Sequence, residues 1–361
     1  MHYREHILED DRVLADSGTE TFDIKVKEPI TEMLLKFVVK NGTAVASQVE
    51  PESIISKIEL VDGGQTYLSM TGREAVAVAA YEKGKWPHHW YAEYASGNQR
   101  ITIPLQFGRY VGDPSYGFDP TRLRNPQLKF TWAKNALHLT GGVSLGIICK
   151  VMEGVASPPY CLLTKGVENW TGAASGAHIV DMWNDYPWRR LFIRSYLRGT
   201  LLDTLLSHFK LSCDADKLIL FDCDAPEFQD IVCDTFGEFE LRKFDVFETG
   251  ALDYKDTLID GHTVVLGSVG TQYMSSLFWA SGANYYSCRV VDYDGAEPAT
   301  CYLQVKCIGE FPHATYCYQF GDKDVPESWF NAPAFGDIDL KLTEGGLGVN
   351  SVLLQQPRSL P

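Results

Sequence analysis

The sequence predicts an all-β protein built as two tandem sandwiches, and three observations carry that reading. Short segments of alternating apolar and polar residues recur along all 361 residues, separated by turn residues. Aromatic residues make up 12% of the chain and 31 Gly stand beside 17 Pro, a balance that favours strands and turns over long helices. The strand pattern of the first half then returns, in the same order, in the second.

Taken in order, residues 1–18 are charged and polar and read as an N-terminal tail that orders on assembly. "TFDIKVKE" (21–28) alternates Phe22, Ile24 and Val26 against polar partners, as a half-buried strand does. "MLLKFVVKNG" (33–42) is a strand closed by an Asn-Gly turn, and "KIELVDGGQTYL" (57–68) reads strand, tight turn, strand. Ala-rich "REAVAVAAYEKG" (73–84) is a helix stopped by Gly84. "RITIPLQFG", "QLKFTW" and "VSLGIICKV" complete a first sandwich over residues 19–155. Pro158, Pro159 and several glycines mark 156–180 as an inter-domain connection. Residues 181–361 then form the second sandwich, ending in the short tail "QQPRSLP" (355–361).

The repeat shows in four pairings. "KIELVDGG" begins at Lys57 and "KLILFDCD" at Lys217, 160 residues apart; "ITIPLQ" begins at Ile101 and "HTVVLG" at His262, 161 apart. "LKFTW" begins at Leu128 and "YSCRV" at Tyr286, 158 apart, and Leu145, Ile147 and Cys149 alternate as Leu303, Val305 and Cys307 do. A second helical segment, "APEFQDIVCDTFG" (225–237), follows the first of these strands in the second half. A duplication of this size gives two domains of one design, unlike a solenoid. About eight short strands per half, in two facing sheets, make each domain a jelly roll.

The charge balance excludes one function class. With 47 Asp+Glu against 32 Lys+Arg, the net charge of −15 repels phosphate backbones, so direct sequence-specific nucleic-acid binding is not expected. Nine cysteines occur without a C-x-x-C pair, several inside apolar strand patterns such as Cys149 in "LGIICKV", and read as buried reduced thiols. The N-terminus lacks the apolar stretch of a secretory signal, and nothing approaches the ~18 apolar residues of a membrane span.

Motifs of catalysis are missing as well: no P-loop, G-x-G-x-x-G after a strand, G-x-S-x-G or H-E-x-x-H occurs. No catalytic residue, metal ligand or cofactor is expected, and the chain is not expected to be an enzyme. His88 and His89 would face opposite ways on a strand. "DYDGAE" (292–297) reads as a turn, and Asp222, Asp224, Glu227 and Asp230 as carboxylates grouped at a helix start, where they cap it. The aromatic clusters "HHWYAEY" (88–94) and "FWASGANYY" (278–286) read as core or contact surface, and "WRRLFIR" (188–194) as an outward-facing strand row. The competing functions are a two-domain jelly-roll glycan-acting hydrolase, using Asp222, Asp224 and Glu227, and a carbohydrate-binding protein, using the aromatic clusters.

One stretch asks for a specific explanation. "IPLQFGRYVGDPSYGFDPTRLRNPQLKFTW" (103–132) holds a connection well beyond the ~12–15 residues at which structureless loops become uncommon. It resembles the segment joining the sixth and seventh strands of the first jelly roll in the double jelly-roll major capsid proteins of tailless icosahedral, often membrane-containing, viruses. "ISKIELVDGGQTYLSMTGREA" (55–75) resembles an earlier strand–turn–helix segment of the same domain. The architectural resemblance extends over nearly the whole chain, and its motifs lie within residues 55–150.

The resemblance implies a viral major capsid protein whose pseudo-hexagonal homotrimeric capsomers tile an icosahedral shell. It implies a place in the virion after synthesis in the host cytoplasm. The implied partners are the chain's own copies, neighbouring capsomers, minor capsid or penton proteins and, in many members, an internal membrane. On that footing the long loop is expected to touch another subunit. Arg109, Arg122 and Arg124 suit bidentate pairing with its carboxylates, and Tyr110, Tyr116 and Phe118 suit buried anchors.

Overall fold

A computed structural model describes residues 2–43, 49–92, 94–134, 139–248, 253–269, 274–281, 285–292 and 300–361, and strands dominate them. The first half runs β1 (His2–Leu14), β2 (Ser17–Asp23), β3 (Ile30–Lys40), β4 (Ile55–Asp62), β5 (Gln65–Met70), α1 (Gly72–Lys83), β6 (His89–Ala92), β7 (Asn98–Gln106), β8 (Pro126–Ala133) and β9 (Val143–Glu153). The second half runs β10 (Cys161–Thr171), β11 (Gly176–Asp181), β12 (Arg190–Tyr196), α2 (Leu202–Leu205), β13 (Leu206–Cys213), β14 (Leu218–Asp224) and α3 (Ala225–Phe236). It continues with β15 (Phe239–Glu248), β16 (Asp253–Asp256), β17 (Asp260–Val269), β18 (Met274–Ser281), β19 (Tyr285–Asp292), β20 (Thr300–Glu310), β21 (Thr315–Gln319), β22 (Ile338–Glu344) and β23 (Val349–Arg358).

Alternation sets the core. On β3, Met33, Leu35, Phe37 and Val39 all point inward; the antiparallel register sets Leu35 opposite Ile147 and Phe37 opposite Leu145 on β9. The facing sheet supplies Leu128, Phe130 and Trp132 from β8, and the Phe37 and Phe130 rings meet 5.3 Å apart across the sandwich. Helix α1 starts at a capping box, in which Glu74 N–H donates to the Thr71 hydroxyl and Thr71 N–H donates to the Glu74 carboxylate. Gly84 ends it at φ 63°, a left-handed turn open to glycine.

The two halves repeat one topology. In the first, four-strand sheets run β1-β9-β3-β7 and β2-β8-β4-β5; in the second, the matching orders are β10-β23-β12-β21 and β11-β22-β13-β14. The fold is therefore all-β, two jelly rolls in tandem. They also share sheets: parallel pairing of β5 with β10, and of β6 with β15, joins strands of both halves into two eight-stranded sheets.

The strand pairings drawn from sequence need correction, because the repeat does not keep a constant offset. Helices α1 and α3 start at Gly72 and Ala225, 153 residues apart, whereas β9 and β23 start at Val143 and Val349, 206 apart. The difference enters as an insertion, β16–β19, after β15. "HTVVLG" and "YSCRV" lie in that insertion, in β17 and β19, and "KLILFDCD" is β14, the counterpart of β5 rather than β4. Leu303–Cys307 belong to β20. Strand β7, which pairs β6 on one side and β3 on the other, is matched by β20 beside β15 and β21 beside β12, with a kink between them at Phe311–Ala314.

Several local expectations also change. Residues 2–14, expected as tail, form an edge strand paired with β9 over its length, and 355–358 are the end of β23. The stretch 156–180, expected as a connection, contains β10 and β11. The strand expected over 21–28 ends at Asp23, although Ile24 and Val26 remain buried. "WRRLFIR" does not face outward. Strand β12 lies between β23 and β21 and under α1, and Arg189, Arg190 and Arg194 are all buried with the apolar residues between them. Their charge is tolerated there because partners arrive from distant segments.

Candidate functional site

Two features join the halves: an ionic seam beneath α1, and the long loop between β7 and β8. In the seam, Glu82 on α1 lies 2.6 Å from Arg189 Nη1 and 3.0 Å from Arg190 Nη1, with all three side chains buried. Gln355 on β23 completes the set, donating to Glu82 at 2.8 Å and accepting from Arg189 at 2.7 Å. Burial pushes the Glu82 carboxyl up, but the two guanidinium groups outweigh it and hold the group at about 2.

A second cluster lies farther along the seam. His313 Nε2 sits 3.0 Å from Glu52 Oε1, which also accepts from the Tyr91 hydroxyl at 2.7 Å. Lys243 approaches Glu50 at 3.4 Å and donates to the Asp256 carbonyl at 2.8 Å. Among the described residues, Oε2 of Glu50 and Oε2 of Glu52 find no hydrogen-bond donor. Burial, only partly offset by Lys243, pushes the Glu50 carboxyl up to about 7. Burial also opposes charge on Glu52, but its bonds with His313 and Tyr91 hold it below the usual carboxylate range. The His313 imidazole is pushed down by the same burial. None of the distances in sequence between these partners hints at the cluster.

The loop is built from side-chain turns. Asp113 accepts from Arg109 Nε at 2.7 Å, Arg109 Nη2 at 3.0 Å and the Ser115 N–H, and Asp119 caps the turn at Pro120 by accepting from the Thr121 N–H. A Cβ on Gly108 would sit 2.8 Å from the Tyr116 carbonyl, so this close approach needs glycine. Phe118 exchanges backbone hydrogen bonds with Ile30, and its ring lies fully buried 5.3 Å from Phe107.

The loop also reaches the second half. Arg109 Nη1 donates to the Asp324 carbonyl at 2.7 Å, Tyr116 packs on Trp329 and Tyr160, and Arg122 donates to the carbonyls of Leu360 and Pro361. Of the six residues expected to face another subunit, Arg109, Tyr116, Phe118 and Arg122 make contacts within the chain. Tyr110, 49% exposed, and Arg124 remain outward.

The other candidates separate. Asp222, Asp224, Glu227 and Asp230 are exposed around β14 and the start of α3; Asp222 pairs with His208 at 3.2 Å, and Asp224 occupies the N-cap position without a side-chain cap bond. His88 bonds Arg100, whereas His89 stacks on Tyr91 and lies 3.1 Å from the Arg242 carbonyl, so the pair does diverge. "DYDGAE" falls mostly outside the described residues, as do the side chains of "FWASGANYY". Cys149, Cys161, Cys213 and Cys317 are buried thiols.

Tandem jelly rolls with common sheets, clasped by a structured loop, define a double jelly-roll protein. No protein family and no curated protein matches the sequence. Solved structures do match. The major capsid protein of STIV, the Sulfolobus turreted icosahedral virus, shares 10% identity at a TM-score of 0.63, over 100% of this chain and 98% of that one. PBCV-1 VP54 shares 10% at 0.57, over 99% and 94%. The major capsid protein P2 of bacteriophage PM2 shares 10% at 0.55, over 100% and 98%. At such identities the likeness is one of fold, and it spans the whole chain.

Two measurements check the seam. Glu82→Gln leaves two buried guanidinium groups without their anion and should cost about 3–5 kcal/mol in unfolding free energy, read by chemical denaturation. Glu50 contributes through protonation: its folded value of about 7 exceeds the ordinary 4.5, so its stabilisation is full below pH 4.5 and lost as pH rises to about 7. His313, pushed down, acts oppositely and weakens the fold as pH falls below 6.5. Relative to the parent, Glu50→Gln should therefore gain about 1–3 kcal/mol between pH 4.5 and 7, in urea midpoints taken at half-unit steps.

Proposed function

We propose that this chain is a viral major capsid protein whose homotrimers form pseudo-hexagonal capsomers and tile an icosahedral shell. The observation that carries the reading is the whole-chain double jelly roll shared with three viral capsid proteins. Two similar domains per chain give a trimer six similar units, an outline suited to close packing in a shell. Self-association comes first, then contact with neighbouring capsomers and with minor capsid or penton proteins. The protein would reside in the virion after synthesis in the host cytoplasm, over an internal membrane if the virus encloses one.

The surface supports self-association. Strand register sets Ile7 opposite Ile148, Ile148 opposite Leu34 and Leu34 opposite Pro104. These four make an apolar row across the outer face of β1, β9, β3 and β7, with Ile7 exposed. Tyr110 and Arg124 keep the interface role proposed for the loop. The carboxylates of Asp222, Asp224 and Glu227 lie exposed around β14 and the start of α3, and Asp222 is engaged with His208, an arrangement that does not favour the hydrolase alternative.

Light scattering should give a mass three times the 40.4 kDa chain, and negative-stain images should show a hexagonal outline. A monodisperse monomer at high concentration would sink the reading. Tyr110→Ala with Arg124→Glu should shift the mass toward monomer with the strand circular-dichroism signal unchanged; a stable trimer in that double variant removes the loop from the interface.

A further inference from the structure

Beside the loop lies a groove of about 670 Å³ that both halves build. Its aromatic lining is Tyr116, Tyr160, Tyr186 and Trp329, and four further lining positions are prolines, Pro187 and Pro326 among them. Tyr160 is 46% exposed and is held by stacking on Tyr116, 5.7 Å between ring centres. Tyr116 in turn packs on Trp329 at 5.8 Å, so the aromatic wall is set before any ligand arrives.

The charges at this groove are one-sided. Asp324 and Glu327 line it, and neither carboxylate has a cationic partner among the described residues. The guanidinium in the wall, Arg109, is already held by Asp113, and nearby Arg358 pairs with Asp185 at 3.2 Å. Donors are scarce too. Proline has no N–H, and Trp329 Nε1 already donates to the Asp322 carbonyl at 2.8 Å, leaving mainly tyrosine hydroxyls. A sugar would find acceptors for its hydroxyls in Asp324 and Glu327 but few donors to its own oxygens, and it would leave both carboxylates without a cation. An extended polyproline-type segment needs flat rings to pack on and a few donors for its carbonyls.

We propose that the groove between Tyr160, Tyr186, Trp329 and Glu327 docks an extended, proline-containing peptide segment of a partner protein that carries a lysine or arginine. The pyrrolidine rings pack against the aromatic wall, and the cationic side chain reaches Asp324 and Glu327. The proposal stands apart from the capsid reading, and its failure leaves that reading untouched.

The test is calorimetric titration of the full chain with a synthetic proline-rich peptide carrying one central arginine. Controls are the same peptide with glutamate at that position, a glycine–serine peptide carrying the arginine, and chitohexaose. The arginine–proline peptide should bind best, and Tyr160→Ala should weaken it about tenfold at an unchanged melting temperature. Glu327→Lys, at an exposed position, should reverse the preference toward the glutamate peptide. Absence of binding, or equal binding of the glycine–serine peptide, overturns the proposal. Binding of chitohexaose alone, lost in Tyr160→Ala, overturns it in favour of a glycan site.

Discussion

Everything else in this molecule depends on the buried carboxylate of Glu82 between Arg189 and Arg190. Two guanidinium groups inside a sheet would be prohibitive alone, since each removed from water costs several kcal/mol. Helix α1 of the first jelly roll brings the compensating charge, Gln355 of the last strand bonds both Glu82 and Arg189, and Gln319 accepts from Arg190. The interaction therefore works only when residues 82, 189–190 and 355 are assembled together. It fixes the relative placement of the two halves more sharply than apolar contact could, because a small displacement would strand a charge in the interior.

The second seam cluster follows the same logic with weaker pairing. Glu50 and Glu52 come from the turn before β4, Tyr91 from β6, Lys243 from β15 and His313 from the kink before β21. That kink divides what is one strand, β7, in the first half into β20 and β21 in the second. The division lets one part extend the sheet through β15 while the other completes the second jelly roll. Parallel pairing of β5 with β10 joins one sheet of each sandwich, and pairing of β6 with β15 extends the other sheet of the first through β15, β20 and β17, while β11-β22-β13-β14 stays a separate sheet.

Against this background the long loop after β7 acts as a clasp. Its own turns come from Asp113 and Asp119, short acidic side chains that hold backbone donors in place. Once rigid, it projects Arg109 and Arg122 onto carbonyls of the second half and spends Phe118 in the first. A loop of this length is tolerable in a packed protein because its backbone groups are bonded along the way. Its outward remainder is Tyr110 and Arg124, which the loop leaves exposed.

Much of this was legible in the sequence for physical reasons. Period-two alternation in "MLLKFVV" and "LGIICKV" marks strands because side chains on a pleated backbone must face opposite ways. Thr71, Glu74 and Gly84 bound α1 because they satisfy its end groups locally. Those signals sufficed for the all-β class, the two helices and the twofold design. They could not reveal the true repeat partners, since β14, β17 and β19 look as apolar as the strands they were matched to, and only hydrogen bonding tells which strand lies beside which. Nor could they show that "WRRLFIR" is interior or that Arg109, Tyr116, Phe118 and Arg122 are used within the chain. Burial of a charge is decided by its partner, and Glu82 stands more than a hundred residues from Arg189. The sequence by itself determined which segments are strands and which residues want to be inside; the tertiary structure alone decided the pairing of strands and charges, because both depend on contacts between residues the chain holds far apart.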